Sequence, residues 1–218
     1  GILPNHSMPP IQMPRFNGQA AQDLFVRTVL NEKRDGTFVE IGSNHPITIN
    51  NTFLLEKELN WRGIMVEYDP SYLEFYQGCR STAHHVIADA TTVNFAEEFA
   101  KAKMPADIDY LQVDLEVSNG STINTLVNLD DQVMDAYRFA TVTFEHDIYS
   151  GDHHDTRQRS REIFQRRGYA RVVEDVSNDD LPYEDWYVHP DLVDMELVRS
   201  IQGTEYTGLA WRDIIKRF

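Results

Sequence analysis

Apolar residues along this chain recur with two alternating periods, and the alternation predicts an architecture before any motif does. Ala21, Leu24, Phe25 and Val29 stand at helical spacing and predict a helix over 19–31. An Asp35-Gly36 turn leads into Phe38, Val39 and Ile41, a short β-rich run interrupted by Glu40 and closed by Gly42. The helical period resumes near Asn51 through NTFLLEKELNW. The exchange then repeats. GIMVE ends at Glu67, and Asp69-Pro70 opens a helix through Tyr76. A strand from His84 to Ala88 precedes a helix from Phe95 to Lys103. IDYLQVDLE, Ile108 to Glu116, precedes a helix from Thr122 to Met134, and FATVTFEHD precedes the helix TRQRSREIFQRR. The chain closes with two successive strands, ARVVEDV and EDWYVHP, and with helices predicted over Asp191–Ser200 and Leu209–Phe218. Regular alternation of this kind predicts a doubly wound α/β sheet, mostly parallel and buried on both faces.

In such sheets ligands bind beyond the carboxyl ends of the strands, where the strand order reverses. Glu40, Glu67, Asp89, Asp114 and His146 all fall at or near predicted carboxyl ends. One acid at a strand end means little; five polar ends on one edge point to a site. The turn after the first strand, GSNHP, narrows the ligand. It has one glycine, Gly42, where a dinucleotide fingerprint needs three, and the chain has no G-x-x-x-x-G-K-[ST] loop. A ligand without a pyrophosphate is expected. Glu40 favours one with a cationic or hydroxyl-bearing portion, and S-adenosylmethionine meets that description. The plainer reading of the stretch is an ordinary strand-to-helix turn.

Composition adds bounds. The chain has 218 residues, 41% hydrophobic and 25% charged, ordinary for a globular protein. We expect a Pro- and Met-rich arm over 1–18 and a single α/β domain over 19–218. A net charge of −15 repels phosphate backbones and anionic headgroups, so neither nucleic acid nor a membrane is an expected partner. Cys79 is the one cysteine, which excludes a disulfide framework within the chain and suits a reducing, cytoplasmic setting. No apolar run approaches the length of a membrane span.

The candidate chemistry lies at the fourth and fifth strand ends. His146 has a side chain that titrates near neutrality and is a candidate general base, with Asp114 and Glu116 to orient it or to hold an acceptor hydroxyl. The competing reading of His146 is a structural strand-end histidine. Asp114, Glu116 and His146 are also ligand types for a divalent ion, so a metal is left open. GDHHD, Gly151 to Asp155, reads better as a solvated helix start, and the basic face of TRQRSREIFQRR as a solvated helix face.

Taken together, AQDLFV, GTFVEIGSNHP, NNTFLLEKELNWRGIMVEYDP, DYLQVDLE and FEHD resemble the FkbM-like group of class I S-adenosylmethionine-dependent methyltransferases, over about Gln22 to Leu192. The resemblance implies a seven-stranded Rossmann-like sheet whose last strand is antiparallel. It implies that Glu40, Gly42, Ser43 and Asn44 surround the methionine portion of the cofactor, with Asn51 and Thr52 on its carboxylate. It puts Glu67 on the ribose hydroxyls, Tyr68 beside the adenine, and Asp89 with Ala90 at the adenine amino group. Asp114 faces the same cofactor. Gln22 and Asp23 match a short element of that group that closes over it. Methylation of a small-molecule or sugar hydroxyl is then expected, with a small-molecule or glycan acceptor and, at most, a second copy of the chain as partners. A catalytically inactive α/β nucleotide-binding protein is the alternative. The chain departs from the group after Glu116, where Val117-Ser118-Asn119-Gly120 replaces an immediate glycine.

Overall fold

The computed structural model describes residues 16–202 and 210–215; residues 1–15 of the arm expected over 1–18 lie outside them, as do residues 203–209 and 216–218. Seven strands form one sheet: β1 (Thr37–Ile41), β2 (Arg62–Glu67), β3 (His84–Ile87), β4 (Asp107–Val113), β5 (Arg138–Glu145), β6 (Ala170–Asn178) and β7 (Leu181–Val188). Their order is β3-β2-β1-β4-β5-β7-β6. β1 to β5 pair in parallel, and β7 lies antiparallel to both β5 and β6. The order reverses between β1 and β4, which places the ligand crevice beside the end of β1.

Helices α1 (Gln22–Val29), α2 (Phe53–Leu59), α3 (Leu73–Cys79), α4 (Phe95–Lys101), α5 (Ser121–Gln132), α6 (His154–Arg166), α7 (Met195–Gln202) and α8 (Trp211–Ile215) cover the two faces. Strand alternation sorts the core. Val39, Ile41, Val66, Val113, Val142 and Phe144 meet Phe95, Phe99, Leu126 and Phe164 on one face. Phe38, Met65, Tyr110 and Trp186 meet Phe25, Val26, Val29, Leu55 and Tyr76 on the other. Phe25 stacks on Trp186 with ring centroids 4.7 Å apart, which fastens α1 over β7 and contributes about 0.5–1.5 kcal/mol beyond the area buried.

The predicted elements hold in order and type, with two adjustments. β4 stops at Val113, so Asp114 and Glu116 lie in the following loop rather than in the strand. The Asp69–Tyr76 helix divides into a short 3-10 turn at Pro70–Tyr72, capped by the Asp69 side chain, and then α3.

Candidate functional site

At the end of β1 the chain makes a turn that only glycine fits. Gly42 has φ +84°, and a Cβ there would lie 1.8 Å from the Asp114 carbonyl oxygen. The turn thus brings β1 and β4 backbones together at the switch point. Asn44 follows in the left-handed region at φ 52°. Its Oδ1 accepts from the Tyr72 hydroxyl at 2.9 Å, and its carbonyl accepts from the Tyr76 hydroxyl.

Beneath this turn lies a polar cluster that the sequence reading missed. Arg80, at the end of α3, is fully buried. It donates to Glu56 Oε2 at 2.9 Å, the Pro46 carbonyl at 2.9 Å, Asn50 Oδ1 at 3.0 Å and Thr52 Oγ1 at 2.7 Å. Asn50 Nδ2 donates to Glu40 Oε1 at 2.9 Å. Burial pushes the Glu40 carboxyl above its ordinary value, against the pull of the nearby Arg80 charge and the Asn50 hydrogen bond. Fixing a long loop takes such a network, because each buried polar group without a partner costs about 1–3 kcal/mol. The Thr52 hydroxyl is therefore already engaged with Arg80 and Asn50, which leaves no free hydroxyl for a cofactor carboxylate. Asn51 differs: it is buried, and its Oδ1 has no hydrogen-bond partner among the described residues. Ser43 is also buried, its Oγ bonded to the Glu40 carbonyl at 3.2 Å.

Beside the turn a cavity of about 390 Å³ opens over the ends of β2, β3 and β4, walled by Val66, Tyr68, Ala88, Asp89, Ala90, Leu115, Glu116, Asn119 and Ser121. Four positions singled out in the sequence, Tyr68, Asp89, Ala90 and Glu116, meet here. Tyr68 is 73% exposed and stands at the rim. Asp89 Oδ1 accepts from the Thr91 amide and hydroxyl at 2.9 and 2.7 Å, which holds its carboxyl below the ordinary range. Glu67 is half-buried at the end of β2; burial raises its carboxyl, opposed by the Tyr68 and Asn44 amides.

Glu116 is one of the cavity's walls. Its Oε1 accepts from the Ser118 hydroxyl at 2.6 Å and the Ser118 amide at 3.2 Å, which holds its carboxyl below the ordinary value.

His146 also departs from the sequence reading. Phe144 pairs with Asp185 and Glu145 with Glu184, so His146, the next residue, continues the face of Phe144 and Asp185. Its imidazole is fully buried, with Nε2 3.1 Å from Asp175 and 3.3 Å from Asp185, while Nδ1 accepts from the Ile148 amide at 3.2 Å. Burial alone would lower the His146 pKa; hydrogen bonds with Asp175 and Asp185 outweigh it and raise it. Arg161 donates to both oxygens of Asp185 and to Asp175, each at 2.9 Å. His146 thus occupies a closed ionic network with both ring nitrogens engaged. It does not converge with Asp114 and Glu116. The one His/acid group among the described residues with three ligand atoms in reach of a metal ion is His146, Asp175 and Asp185, and Arg161 already pairs with both of its acids.

The opposite face carries the acids without such partners. Glu184 on β7 is 3% exposed. Its Oε1 accepts from Trp186 Nε1 at 2.6 Å and from Gln22 Nε2 of α1 at 3.2 Å. Burial pushes its carboxyl up to about 7. Asp114 is partly exposed, but loss of hydration and the repulsion of Glu184, Asp147, Glu40 and Glu67 push it well above the carboxylate range. Asp147, with φ 49°, is raised too, first by burial. Asp23 caps the loop before α1 by accepting from the Asn17 and Gly18 amides at 2.6 and 3.1 Å. Burial raises its carboxyl to about 6, against those bonds. Gln22 and Asp23 thus tie the start of α1 to Glu184 of β7 and to the loop at Asn17 and Gly18.

Solved structures of similar fold exist, at low sequence identity. The METTL16 methyltransferase domain aligns with a TM-score of 0.53 and 9% identity over 80% of this chain and 69% of that one. A precorrin-6y C5,15-methyltransferase from Geobacter metallireducens aligns with a TM-score of 0.51 and 15% identity over 78% of this chain and 87% of that one. No protein-family model matches the chain, and no curated protein matches it in sequence. The fold is that of the class I methyltransferases, a seven-stranded Rossmann-like sheet with an antiparallel closing pair.

Proposed function

We propose that this chain is an S-adenosylmethionine-dependent methyltransferase related to the FkbM-like group. The observation that carries the reading is the cavity of about 390 Å³ at the ends of β2, β3 and β4, placed beside the Gly42 turn and continued by carboxylates at Glu67, Asp114 and Glu184. This edge has the parts such a ligand needs. The Val66, Ala88, Ala90 and Leu115 walls suit a purine face. Asp89 has an oxygen beyond the one held by Thr91, fit to accept from an adenine amino group, and Glu67 can accept from ribose hydroxyls. The Gly42 turn keeps side-chain bulk away from the backbone against which the methionine portion would lie. A repelling set of acids is costly with nothing positive beside it, and a sulfonium and an α-ammonium relieve that cost.

When bound, S-adenosylmethionine supplies a methyl group on a positively charged sulfur. The residues of this chain orient it, exclude water through α1 and Gln22, and present the acceptor in line. Resemblance alone carries the expectation of a hydroxyl acceptor. With His146 enclosed on the other face, the base falls to a carboxylate on the face of Glu184.

Calorimetry with S-adenosylmethionine, S-adenosylhomocysteine and NAD tests the reading. We expect the first two to bind and NAD not to. Glu67→Ala should weaken S-adenosylhomocysteine by about 1.5–3 kcal/mol, the scale of a lost charged hydrogen-bond partner. Absence of binding at millimolar S-adenosylhomocysteine, or a preference for NAD, would sink it. Binding without turnover on any acceptor would instead favour an inactive cofactor-binding protein.

A further inference from the structure

A second hollow, of about 140 Å³, lies at the ends of β5 and β7 and under the β6–β7 turn. Glu145, Asp147 and Asp179 bring three carboxyl groups to it, Tyr149 and Tyr183 bring rings, and among the described residues no lysine or arginine lines it. We propose that this hollow is the acceptor subsite, that the acceptor is an amine carried in as its ammonium ion, and that Asp147 receives the proton the amine must lose. The proposal rests on the methyltransferase reading for the reaction, and on the geometry of this hollow for the class of acceptor.

One buried oxygen points to a positively charged or donor-rich occupant. Asp147 Oδ1 is shielded from solvent and has no hydrogen-bond partner among the described residues. Glu184 and Asp147 are close enough to repel each other and Asp114. Buried carboxylate oxygens are retained where they are paired, so the bare Asp147 Oδ1 implies an absent partner. S-adenosylmethionine accounts for part of this: its sulfonium and ammonium, less its carboxylate, bring one net positive charge to a region holding Asp114, Asp147 and Glu184. A neutral hydroxyl acceptor would add no positive charge beside Glu145, Asp147 and Asp179. A small divalent ion fits poorly, because no three of these carboxylates come within common ligand reach; among the described residues only His146, Asp175 and Asp185 do, on the other face. An ammonium group is larger, donates three hydrogen bonds and lies well against tyrosine faces.

The step balances without a further reactant. The ammonium gives one proton to the Asp147 carboxylate. The freed nitrogen lone pair forms the new N–C bond to the methyl carbon while the S–C bond breaks, its electron pair staying on sulfur. The products are a methylated ammonium, S-adenosylhomocysteine and, from Asp147, one proton released to solvent. The chain's net charge of −15 favours approach of such a cation over an anionic acceptor.

The test sets amines against hydroxyl compounds of the same shape. Protein, with and without saturating S-adenosylhomocysteine, is titrated calorimetrically with 1,4-diaminobutane, n-butylamine and Nα-acetyl-lysine amide. Each is paired with its alcohol analogue, 1,4-butanediol, n-butanol and Nα-acetyl-6-hydroxynorleucine amide. At least one amine should bind tenfold or more tightly than its alcohol. Asp147→Asn should weaken it tenfold or more, while leaving S-adenosylhomocysteine affinity and the thermal melt unchanged. Turnover with that amine should fall by about 10²–10⁴-fold, the range for a general base. Glu145→Gln, on the same wall, should weaken the amine without abolishing turnover. Equal binding of every amine and its alcohol, or an Asp147→Asn protein that binds and methylates like wild type, overturns the proposal. Failure of S-adenosylhomocysteine to bind would count against the methyltransferase reading instead, since the amine preference is measured without it as well.

Discussion

β5 and β7 carry acids on both faces, and the two faces treat them oppositely. On the α6 side, Asp175 and Asp185 are held by His146 and Arg161, with Arg157 on Asp175 at 3.1 Å. Burial would raise Asp185, but hydrogen bonds with His146 and Arg161 outweigh it and hold the carboxyl far below its ordinary value. On the α1 side, Asp114, Asp147 and Glu184 have no ion pair among the described residues, and all three are raised, Asp147 against the pull of His146 and His153. The first set is closed and structural. The second has no such ionic pairing among the described residues; Glu184 is held by the neutral donors of Trp186 and Gln22. Charge count alone does not separate them; partners do.

The largest effect should come from breaking the closed set. Asp185→Ala leaves His146 and Arg161 facing a buried vacancy and should cost about 3–5 kcal/mol. Asp147→Ala should change stability by less than about 1 kcal/mol, because it removes repulsion along with a side chain. Urea unfolding of both variants checks the contrast, and equal losses would erase it.

Next comes pH. Glu184 is raised in the folded state from 4.5 to about 7, so its contribution favours folding fully below pH 4.5 and is lost as pH rises through 7. Glu184→Gln removes that dependence. The variant should gain on wild type by on the order of 1–3 kcal/mol between pH 5 and pH 8. Asp185 runs the other way: its stabilisation is present above the unfolded carboxylate value near 3.9 and is lost only in strong acid, outside this window. A wild-type protein whose difference from Glu184→Gln is flat from pH 5 to 8 would show that Glu184 is not strained by its surroundings.

Chelation should do least. Arg161 already pairs with both acids of the His146, Asp175 and Asp185 group, so treatment with EDTA should shift the melting temperature by less than about 2 °C, under about 1 kcal/mol for a chain of this size. A larger drop would reveal a structural ion there and turn the closed set into a metal site.

The strand-turn-helix around Glu40 and Gly42, the acids at Glu67 and Asp89, and the alternating α/β order were legible because each is local. A buried run, a glycine turn and a following helical period are all written within a few residues. The misplacement of His146 was avoidable in part. In FATVTFEHD it shares the parity of Val142 and Phe144, which must face a core, whereas Glu145 has the other parity. Arg80 gave no comparable signal: nothing at the end of a short amphipathic helix announces contact with Pro46, Asn50, Thr52 and Glu56.

By itself, then, the sequence determined which segments would be strands, which helices, and that polar groups would crowd one edge of the sheet, because hydrophobic period and turn chemistry act over one or two turns of chain. Only the tertiary structure decided which of those groups are paired. The antiparallel return of β7 brings Glu184 beside Glu145 and Asp185 beside Phe144. α1 reaches across to Glu184 through Gln22 over 162 positions, and α6 delivers Arg161 to one face and not the other. A carboxylate's charge state and reactivity follow from desolvation and from partners distant in sequence, and the fold alone supplies those.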